Sequence, residues 1–447
     1  MQSVQTILKR RAFLRTGMAA LAGSSALGLI GCGGSGSGAA AASSTTPLRL
    51  EFWGTTERNK RTREVMTLFE QRYPSVKMTS QFADFNSYWT KLGIEISGGN
   101  LPDLLQMDMG YIAQFVQKGL LLDLTKYIPN SINLSDFDPI LLKGSEANHT
   151  MYGIPLGGNS QAAFYRTDLV SQAKVGDPDP TMTWDEFATY AGKIAQALGK
   201  GFWGCEDGSN DQLLLEVFIR QRGKEMYTED GQINFSKQDL IDWWTYWSHM
   251  RASGACLPAS VGVGAPPTTM TPSNSLLIAG KMAFHFDWSN LIVDWQQFTP
   301  HKLGMAAYPQ GPSGSVPGQY FKVSQLMSIA AQTKHPEEAA TFVNFMINDT
   351  GAIKALDIER GIPGAAKARA LLKPQLTPTQ REELAYIDQV AKYARPKTVL
   401  DPPGANQVVT AYQLYASKIA FGQLSIPVAV DRFFSDAQKA LEQMKQS

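Results

Sequence analysis

The segment from residue 48 to residue 108 alternates between two hydrophobic periods, and this alternation restricts the fold more than any other feature of the chain. The pattern predicts strands at Leu48–Trp53, Val76–Phe82 and Asp103–Met107, and helices at Arg58–Tyr73 and Phe85–Ser97. Strands that alternate with helices predict an α/β fold with a parallel sheet and crossover helices. In such sheets, ligands bind beyond the carboxyl ends of the strands.

The stretch Tyr152–Arg166 has the pattern of a strand that stops, bends and continues. It begins with apolar residues around a proline, breaks at Gly157–Gly158, and resumes as the apolar run Ala162–Tyr165. Glycine gives the backbone its greatest freedom. We therefore predict a hinge crossing between two domains at the floor of a ligand cleft, with the polar side chain of Asn159 at the bend.

The N-terminus has the three parts of an export signal. Lys9–Arg15 contains a twin-arginine pattern, Thr16–Ile30 is a mildly apolar run, and Leu29–Cys32 resembles a bacterial lipobox. The apolar run is shorter than the roughly 20 residues of a spanning helix. We predict that residues 1–32 are a twin-arginine lipoprotein signal peptide with lipidation at Cys32. An uncleaved N-terminal anchor is the alternative.

Residues 33–47 are predicted to form a flexible tether, because Gly33–Thr46 contains only Gly, Ser, Ala and Thr. A lipid followed by a tether places the folded part on the outer face of the bacterial cytoplasmic membrane, either extracellular or periplasmic.

Charge and composition exclude some classes of partner. The chain has 447 residues and a net charge of +1, of which residues 1–31 contribute four basic and no acidic residues. The remainder is therefore slightly acidic, whereas nucleic acid requires a basic face. A hydrophobic share of 43% is that of a folded protein, and the length suggests two or three core units.

Cysteine and histidine do not form a site pattern. Cys205 and Cys256 are predicted to be either a disulfide in an oxidising compartment or two buried free thiols. The five histidines share no ligand spacing, and the sequence has no phosphate loop or Ser-His-Asp order. We therefore expect no metal, no cofactor and no catalytic residue.

Two helices in the second half have clear local patterns. Thr183, followed by Trp184, Asp185 and Glu186, predicts a helix start with a Thr cap and early acids. Trp243, Trp244 and Trp247 fall on one face of the predicted helix Lys237–Ala252. We interpret this stripe as core rather than as a ligand surface.

An ordered series of short motifs resembles the family-one, sugar-binding type of ABC-importer solute-binding protein, which includes maltose-binding-type proteins. The motifs are Phe69–Lys77, Ser87–Leu92, Gly99–Asp108, Met151–Pro155, Tyr165–Leu169, Thr183–Phe187, Gly280–Phe284, Leu303–Pro309, His335–Ala340 and Arg360–Pro363. The resemblance covers residues 48–447 and rests on the order and spacing of the motifs.

The resemblance implies a periplasmic-binding-protein-like fold of two α/β lobes around a ligand cleft. Lobe 1 would contain residues 48–157 and 325–370, and lobe 2 residues 158–324 and 371–447. Three crossings would form the hinge, the second near Tyr320–Gln325 and the third near Gly364–Leu372. The implied function is to capture a carbohydrate, an oligosaccharide, by lobe closure and deliver it as a monomer to ABC-importer permease subunits.

Sugar binding requires aromatic faces and planar polar groups that bond several hydroxyls. The residues of these types that fall at strand ends or in motifs facing the predicted cleft are Trp53, Glu57, Asp84, Tyr88, Asp108, Asn159, Trp203, Glu206, Asp287, Trp288, Tyr320 and Arg360, with Asn406 as a weaker candidate.

Several candidates have structural alternatives. Asp84 and Asp108 would also serve as helix caps, and Trp203 would also fit a core. Arg360 would either pair with a structural carboxylate or face the cleft, where it would suit an acidic sugar.

Other functions remain open at this point. A glycoside-active enzyme would need two close carboxylates. A binding protein for a glycerophosphodiester would need several basic strand-end residues, and one for a polyamine would need acids and aromatics.

Overall fold

Two β-sheets form within the residues that the structure, a computed structural model, describes, which are 45–147, 149–262, 272–397, 399 and 401–445. The predicted signal peptide with Cys32 and most of the tether lie outside these residues. The strands are β1 (Thr46–Trp53), β2 (Val76–Ala83), β3 (Leu104–Met107), β4 (Ile154–Asn159), β5 (Gln161–Arg166), β6 (Trp203–Cys205), β7 (Met282–Trp288), β8 (Leu303–Ala306) and β9 (Lys322–Ile329).

The helices of the described residues surround these sheets. They are α1 (Thr56–Arg72), α2 (Phe85–Ser97), α3 (Met109–Gln117), α4 (Pro139–Gly144), α5 (Thr167–Ala173), α6 (Trp184–Leu198), α7 (Gln212–Arg220), α8 (Lys237–Ala252), α9 (Ala259–Gly262), α10 (Ile292–Gln296), α11 (Pro336–Asn348), α12 (Thr350–Leu356), α13 (Ala366–Leu372), α14 (Pro378–Val390), α15 (Ala405–Ala420) and α16 (Ile426–Lys445). None of them is both long and apolar enough to cross a bilayer.

The first sheet has the strand order β2-β1-β3-β9-β4. Its strands β2, β1 and β3 run parallel, as predicted from their alternation with helices. Strand β9 pairs antiparallel with both β3 and β4. The chain therefore leaves this sheet after β4 and returns to it through β9, once the second sheet has been completed.

Strand β1 begins earlier than predicted. Thr46 pairs with Val76 and Pro47 pairs with Lys77. The predicted tether of residues 33–47 is thus wrong at its C-terminal end, since Thr46 and Pro47 belong to the first sheet.

The second sheet has the order β6-β7-β5-β8, with β5 antiparallel to both of its neighbours. Strand β7 extends as far as Trp288, because Asp287 pairs with Ala162 and Trp288 with Gln161. Asp287 and Trp288 are consequently the last residues of a strand rather than the start of a loop. Their backbone is held by β5, the strand that follows the crossing.

The helices of the second half have the cap and the buried tryptophan face that the sequence predicts. Thr183 caps α6 and forms a capping box with Glu186. Trp243, Trp244 and Trp247 of α8 are fully buried, so the prediction that they form core is confirmed. Helices α15 and α16 pack against each other, and α16 also contacts α8.

The chain passes between the two sheets at three places. The first crossing is Ser160, which separates β4 from β5. The second is the segment 320–322, which leads into β9. The third is Lys373–Gln375, between α13, which contacts α12, and α14, which contacts β8 and α10. This last position lies just beyond Gly364–Leu372, where the sequence placed it.

Gly157 and Gly158, the two glycines of β4 just before the first crossing, allow two chain segments to approach each other closely. The pairing of β4 with β9 is irregular at Gly157 and Gly158, but the strand continues to Asn159. A Cβ on Gly157 would lie 2.6 Å from the carbonyl oxygen of Arg360 and 2.8 Å from the carbonyl carbon of Gly361. Gly158 exchanges backbone hydrogen bonds with Ile362. The glycines thus allow the segment 360–362 to pack on the crossing.

Candidate functional site

A cavity of about 180 Å³ lies between the two sheets, next to the first two crossings. The cavity is lined by Trp53, Arg58, Phe85, Asp108, Asn159, Trp288, Asn290, Leu291, Lys322, Ser324, Gln325 and Arg360. Of these, Trp53 and Asp108 stand at the carboxyl ends of parallel strands, where a ligand site was expected.

Five of the twelve predicted site residues line this cavity: Trp53, Asp108, Asn159, Trp288 and Arg360. They come from the ends of β1, β3, β4 and β7 and from the segment that packs on the first crossing. The other lining residues were not predicted. Lys322, Ser324 and Gln325 belong to the first half of β9, and their position beside the second crossing was the available clue in the sequence.

Aromatic rings form part of the wall on both sides. Trp53, at the end of β1, has its ring centroid 5.4 Å from that of Phe85 in an edge-on contact. Trp288, at the end of β7, is half-buried and lies edge-on to Tyr320 at 6.1 Å. The ammonium group of Lys322 sits 4.9 Å from the Trp288 ring centroid. Such rings are suited to packing against the C–H face of a pyranose.

The charged groups of the wall are mainly basic. Lys322 Nζ lies 3.9 Å from Asp108 Oδ2, which is beyond hydrogen-bond distance. Asp108 Oδ1 accepts a hydrogen bond from the Gly110 amide, so Asp108 also caps α3. Arg58 bonds Glu359 at 2.7 Å and donates to the Trp53 carbonyl at 3.1 Å.

Arg360 is buried, and its guanidinium has few partners. Its Nη2 donates to Thr62 at 2.8 Å, and its Nη1 lies 3.5 Å from Glu359. Burial, and to a lesser extent the neighbouring Arg58, lower the pKa of Arg360 to about 9. The group is therefore still charged at neutral pH. Glu359, which was not predicted, serves as the carboxylate shared by both arginines.

Several polar atoms of the cavity residues have no hydrogen-bond partner among the described residues. These are Asn159 Oδ1, Asn290 Oδ1 and Gln325 Oε1, together with Nε and Nη1 of Arg360. Unpartnered buried polar groups cost about 1–3 kcal/mol each. The lining residues therefore retain amide acceptors and guanidinium donors whose hydrogen bonds the described residues do not supply.

Three predicted residues in the first half of the chain lie outside this wall. Glu57 is exposed and pairs with Arg61 one helical turn away. Asp84 caps α2 through the Ser87 amide, the alternative that the sequence left open. Tyr88 is buried, and its hydroxyl donates to the Gln106 carbonyl at 2.6 Å. Each of these polar groups therefore interacts with another residue of the protein and not with the cavity.

Glu206 and Asp287 form a cluster around the buried His285 instead of lining the cavity. Glu206 accepts the Phe286 amide at 2.6 Å and lies 2.8 Å from His285 Nδ1. Asp287 lies 3.5 Å from His285 Nε2 and accepts the Trp288 amide at 2.8 Å. Burial alone would lower the pKa of His285, but the two carboxylates raise it to about 10. This cluster therefore supports the end of β7, which carries Trp288.

The remaining candidates are also elsewhere. Tyr320 is buried and donates its hydroxyl to Glu216 at 2.8 Å. Trp203 lines a separate hollow of about 660 Å³ with residues of α6. Asn406 is exposed on α15, where its carbonyl accepts from Thr410. Among the described residues, no group of three or more His, Cys, Asp or Glu side chains is arranged to hold a metal.

The two described cysteines are free. Cys205 and Cys256 are both buried, and their backbones are paired by an isolated bridge. Burial raises the pKa of both thiols. The disulfide alternative is therefore wrong for this structure, and the alternative of two buried thiols is confirmed.

The family model of the bacterial extracellular solute-binding proteins matches residues 64–435, most of the chain. The chain belongs to this family. Among curated relatives of this solute-binding protein, a putative binding protein of Brucella abortus (strain 2308) is 24% identical over 303 residues, covering 67% of this chain and 71% of that one.

Two solved structures illustrate the likeness in fold. A family 1 extracellular solute-binding protein from Alicyclobacillus acidocaldarius is 28% identical with a TM-score of 0.76, covering 89% of this chain and 99% of that one. A periplasmic oligogalacturonide binding protein from Yersinia enterocolitica has the same TM-score at 20% identity, covering 89% and 100%. The predicted periplasmic-binding-protein-like α/β fold is confirmed, and so is the resemblance to ABC-importer solute-binding proteins.

Proposed function

We propose that this solute-binding protein captures a carbohydrate in the cavity between its sheets and delivers it to the permease of an ABC importer. The observation that carries this proposal is the composition of the wall, in which Trp53 and Trp288 from different sheets accompany unpartnered amide oxygens. Aromatic faces take the apolar side of a sugar ring, and amides bond its hydroxyls. The Yersinia enterocolitica protein of the same fold binds oligogalacturonides, which supports the same class of ligand here.

Capture would proceed by closure of the lobes. The residues that line the cavity come from both sheets. A ligand that touches both would therefore stabilise the state in which they are close. The three crossings are the segments that would absorb the motion. The three crossings move the lobe boundaries by a few residues from those predicted, because all of β4 and β9 belongs to the first sheet. The proposed lobes are therefore residues 46–159 with 322–372 and residues 161–319 with 376–445.

The composition of the wall argues against a glycosidase and against a polyamine-binding protein, the two alternatives that need several acidic residues. A glycosidase of the usual kind places two carboxylates on either side of the scissile bond, whereas Asp108 is the only carboxylate among the lining residues. A polyamine site would also be rich in acids, yet this wall contains Arg58, Lys322 and Arg360.

A saccharide panel tests the proposal by thermal unfolding of the full chain. A ligand present at about 100 times its Kd stabilises the folded state by about 2.7 kcal/mol, so the sugar that binds is expected to raise Tm measurably. Product analysis of the same samples should find the sugar intact. Release of a monosaccharide would show turnover, and a panel without any shift would reject carbohydrate binding.

Membrane attachment is proposed from the sequence of the leader. Cys32→Ala removes the only sulfur on which the lipobox places the lipid. We expect the full chain in a bacterial host to partition with membranes, and the Cys32→Ala variant to lose that attachment. Mass spectrometry of the N-terminal peptide provides the second measurement. Equal partitioning of both proteins would contradict a lipid anchor at Cys32.

A further inference from the structure

The basic groups of the cavity have unused capacity for an anion. Lys322 Nζ makes no hydrogen bond within the described residues, and its nearest carboxylate oxygen is 3.9 Å away. Arg360 keeps two donors, Nε and Nη1, without a hydrogen-bond acceptor among the described residues. Glu359 hydrogen-bonds Arg58 and lies 3.5 Å from Arg360 Nη1, so one carboxylate balances two guanidinium groups. Two cationic side chains of the wall are therefore incompletely paired.

The position of Lys322 relates this charge to the aromatic platform. Its ammonium lies 4.9 Å from the Trp288 ring centroid and is about one-third exposed. A sugar ring stacked on Trp288 would bring its substituents within reach of that ammonium. A carboxylate on the ring would gain a charge-assisted hydrogen bond there, whereas a neutral hydroxymethyl group would gain a weaker one.

We infer that the ligand is an acidic saccharide whose carboxylate is bound by Lys322, with Arg360 contributing further positive charge. The inference rests on the proposed function and adds the chemical class of the sugar. It also assigns Lys322 as a residue that determines specificity. Asp108 weakens the binding of the anion, because its carboxylate lies beside the ammonium group of Lys322.

Phosphate is the other anion that basic groups attract, and the unpartnered acceptors distinguish the two. Asn159 Oδ1, Asn290 Oδ1 and Gln325 Oε1 need hydrogen-bond donors. The many hydroxyls of a sugar acid supply a donor to each of these acceptors, whereas a glycerophosphodiester brings only the few hydroxyls of its glycerol and a phosphate that supplies acceptors alone. The wall therefore favours a polyhydroxylated acid over a simple phosphodiester.

Matched saccharide pairs test this inference by calorimetry on the full chain. Each pair differs only at C6, with oligogalacturonate against oligogalactose and oligomannuronate against oligomannose, two to four units long. A hydrogen bond to a charged group contributes about 1.5–3 kcal/mol, so the acidic member of the binding pair is expected to bind at least about tenfold more tightly. The preference should shrink at 0.5 M salt.

Two substitutions with opposite expected effects on the preference for the acidic saccharide test the role of Lys322. Lys322→Gln should remove the acidic preference, whereas Asp108→Asn, which retains the Oδ1 cap of α3, should increase it. Lys281→Gln is the matched control, because Lys281 is exposed and also lies over an aromatic ring, Phe202 at 4.3 Å, outside the cavity. The control should keep the preference of the unmodified chain.

Each remaining outcome contradicts the inference, the proposed function or both. A neutral sugar that binds as tightly as its acidic counterpart would overturn the inference and leave carbohydrate capture intact. Tighter binding of glycerophosphocholine than of any saccharide would also overturn it and would favour a phosphodiester. If no saccharide binds, both the inference and the proposed function fail.

Discussion

Replacing Trp288 with alanine is expected to weaken saccharide binding by about 30-fold or more. Tryptophans buried at the centre of a binding surface commonly contribute at least about 2 kcal/mol to affinity, and 1.4 kcal/mol corresponds to a factor of ten. Trp288 ends β7, is half-buried, and has Lys322 over its ring. The fold should survive, because the backbone of Trp288 is paired with β5 through Gln161. Calorimetry with the tightest saccharide of the panel gives the affinity.

Trp203→Ala is the matched control for this experiment. Trp203 is also a half-buried tryptophan of the second sheet, where it begins β6, but it lines the separate hollow beside α6. We expect its removal to leave the affinity unchanged. Equal affinities for the Trp288→Ala variant and the unmodified chain, with unchanged circular dichroism, would remove Trp288 from the site.

The position of the site was predictable from local sequence to the extent that it depends on strand ends. The alternation of strands and helices located the ends of β1 and β3, and hence Trp53 and Asp108. It also located the first crossing and Asn159. The positions of Trp53 and Asp108 follow from chain direction alone, because parallel strands present their carboxyl ends at one edge of a sheet.

The candidates that lie outside the cavity depend on partners distant in sequence. Tyr88 bonds the carbonyl of Gln106, and Tyr320 bonds Glu216. Glu206 is held by His285 and by the amide of Phe286. Local periodicity gives the type of an element, but it contains no information on which long-range partner will satisfy a polar side chain.

The basic character of the wall was missed for a similar reason. Arg58, Lys322 and Arg360 come from distant parts of the chain and meet only in the folded protein. The return of β9 beside β4 positions Lys322, and the packing of the segment 360–362 against Gly157 positions Arg360. The sequence suggested a single basic candidate, Arg360, and so gave little support to an anionic ligand. The slight excess of acidic residues after residue 31 also concealed this local excess of positive charge.

Replacing Gly157 with alanine is expected to reduce the stability of the folded state by about 3 kcal/mol. The new Cβ would lie 2.6 Å from the Arg360 carbonyl oxygen, and a contact with backbone cannot be relieved by a rotamer change. Gly157 is not among the glycines with positive φ, so alanine can adopt its backbone conformation. The cost is therefore steric, and it falls on the packing of the segment 360–362 against the first crossing.

The sign of this effect separates two interpretations of the glycine. If the only role of Gly157 were to make the backbone flexible, alanine would reduce the conformational freedom of the unfolded chain. The folded state would then be stabilised by about 0.4–1 kcal/mol. Gly93→Ala provides the matched control. Gly93 lies inside α2, and a Cβ there would meet no atom within 4 Å among the described residues. Alanine at this position should therefore stabilise the folded state by about 0.5–1 kcal/mol. Thermal unfolding of the two variants should thus move Tm in opposite directions. A rise in Tm for Gly157→Ala would show that the crossing has room for a side chain and that the glycine acts as a flexible hinge.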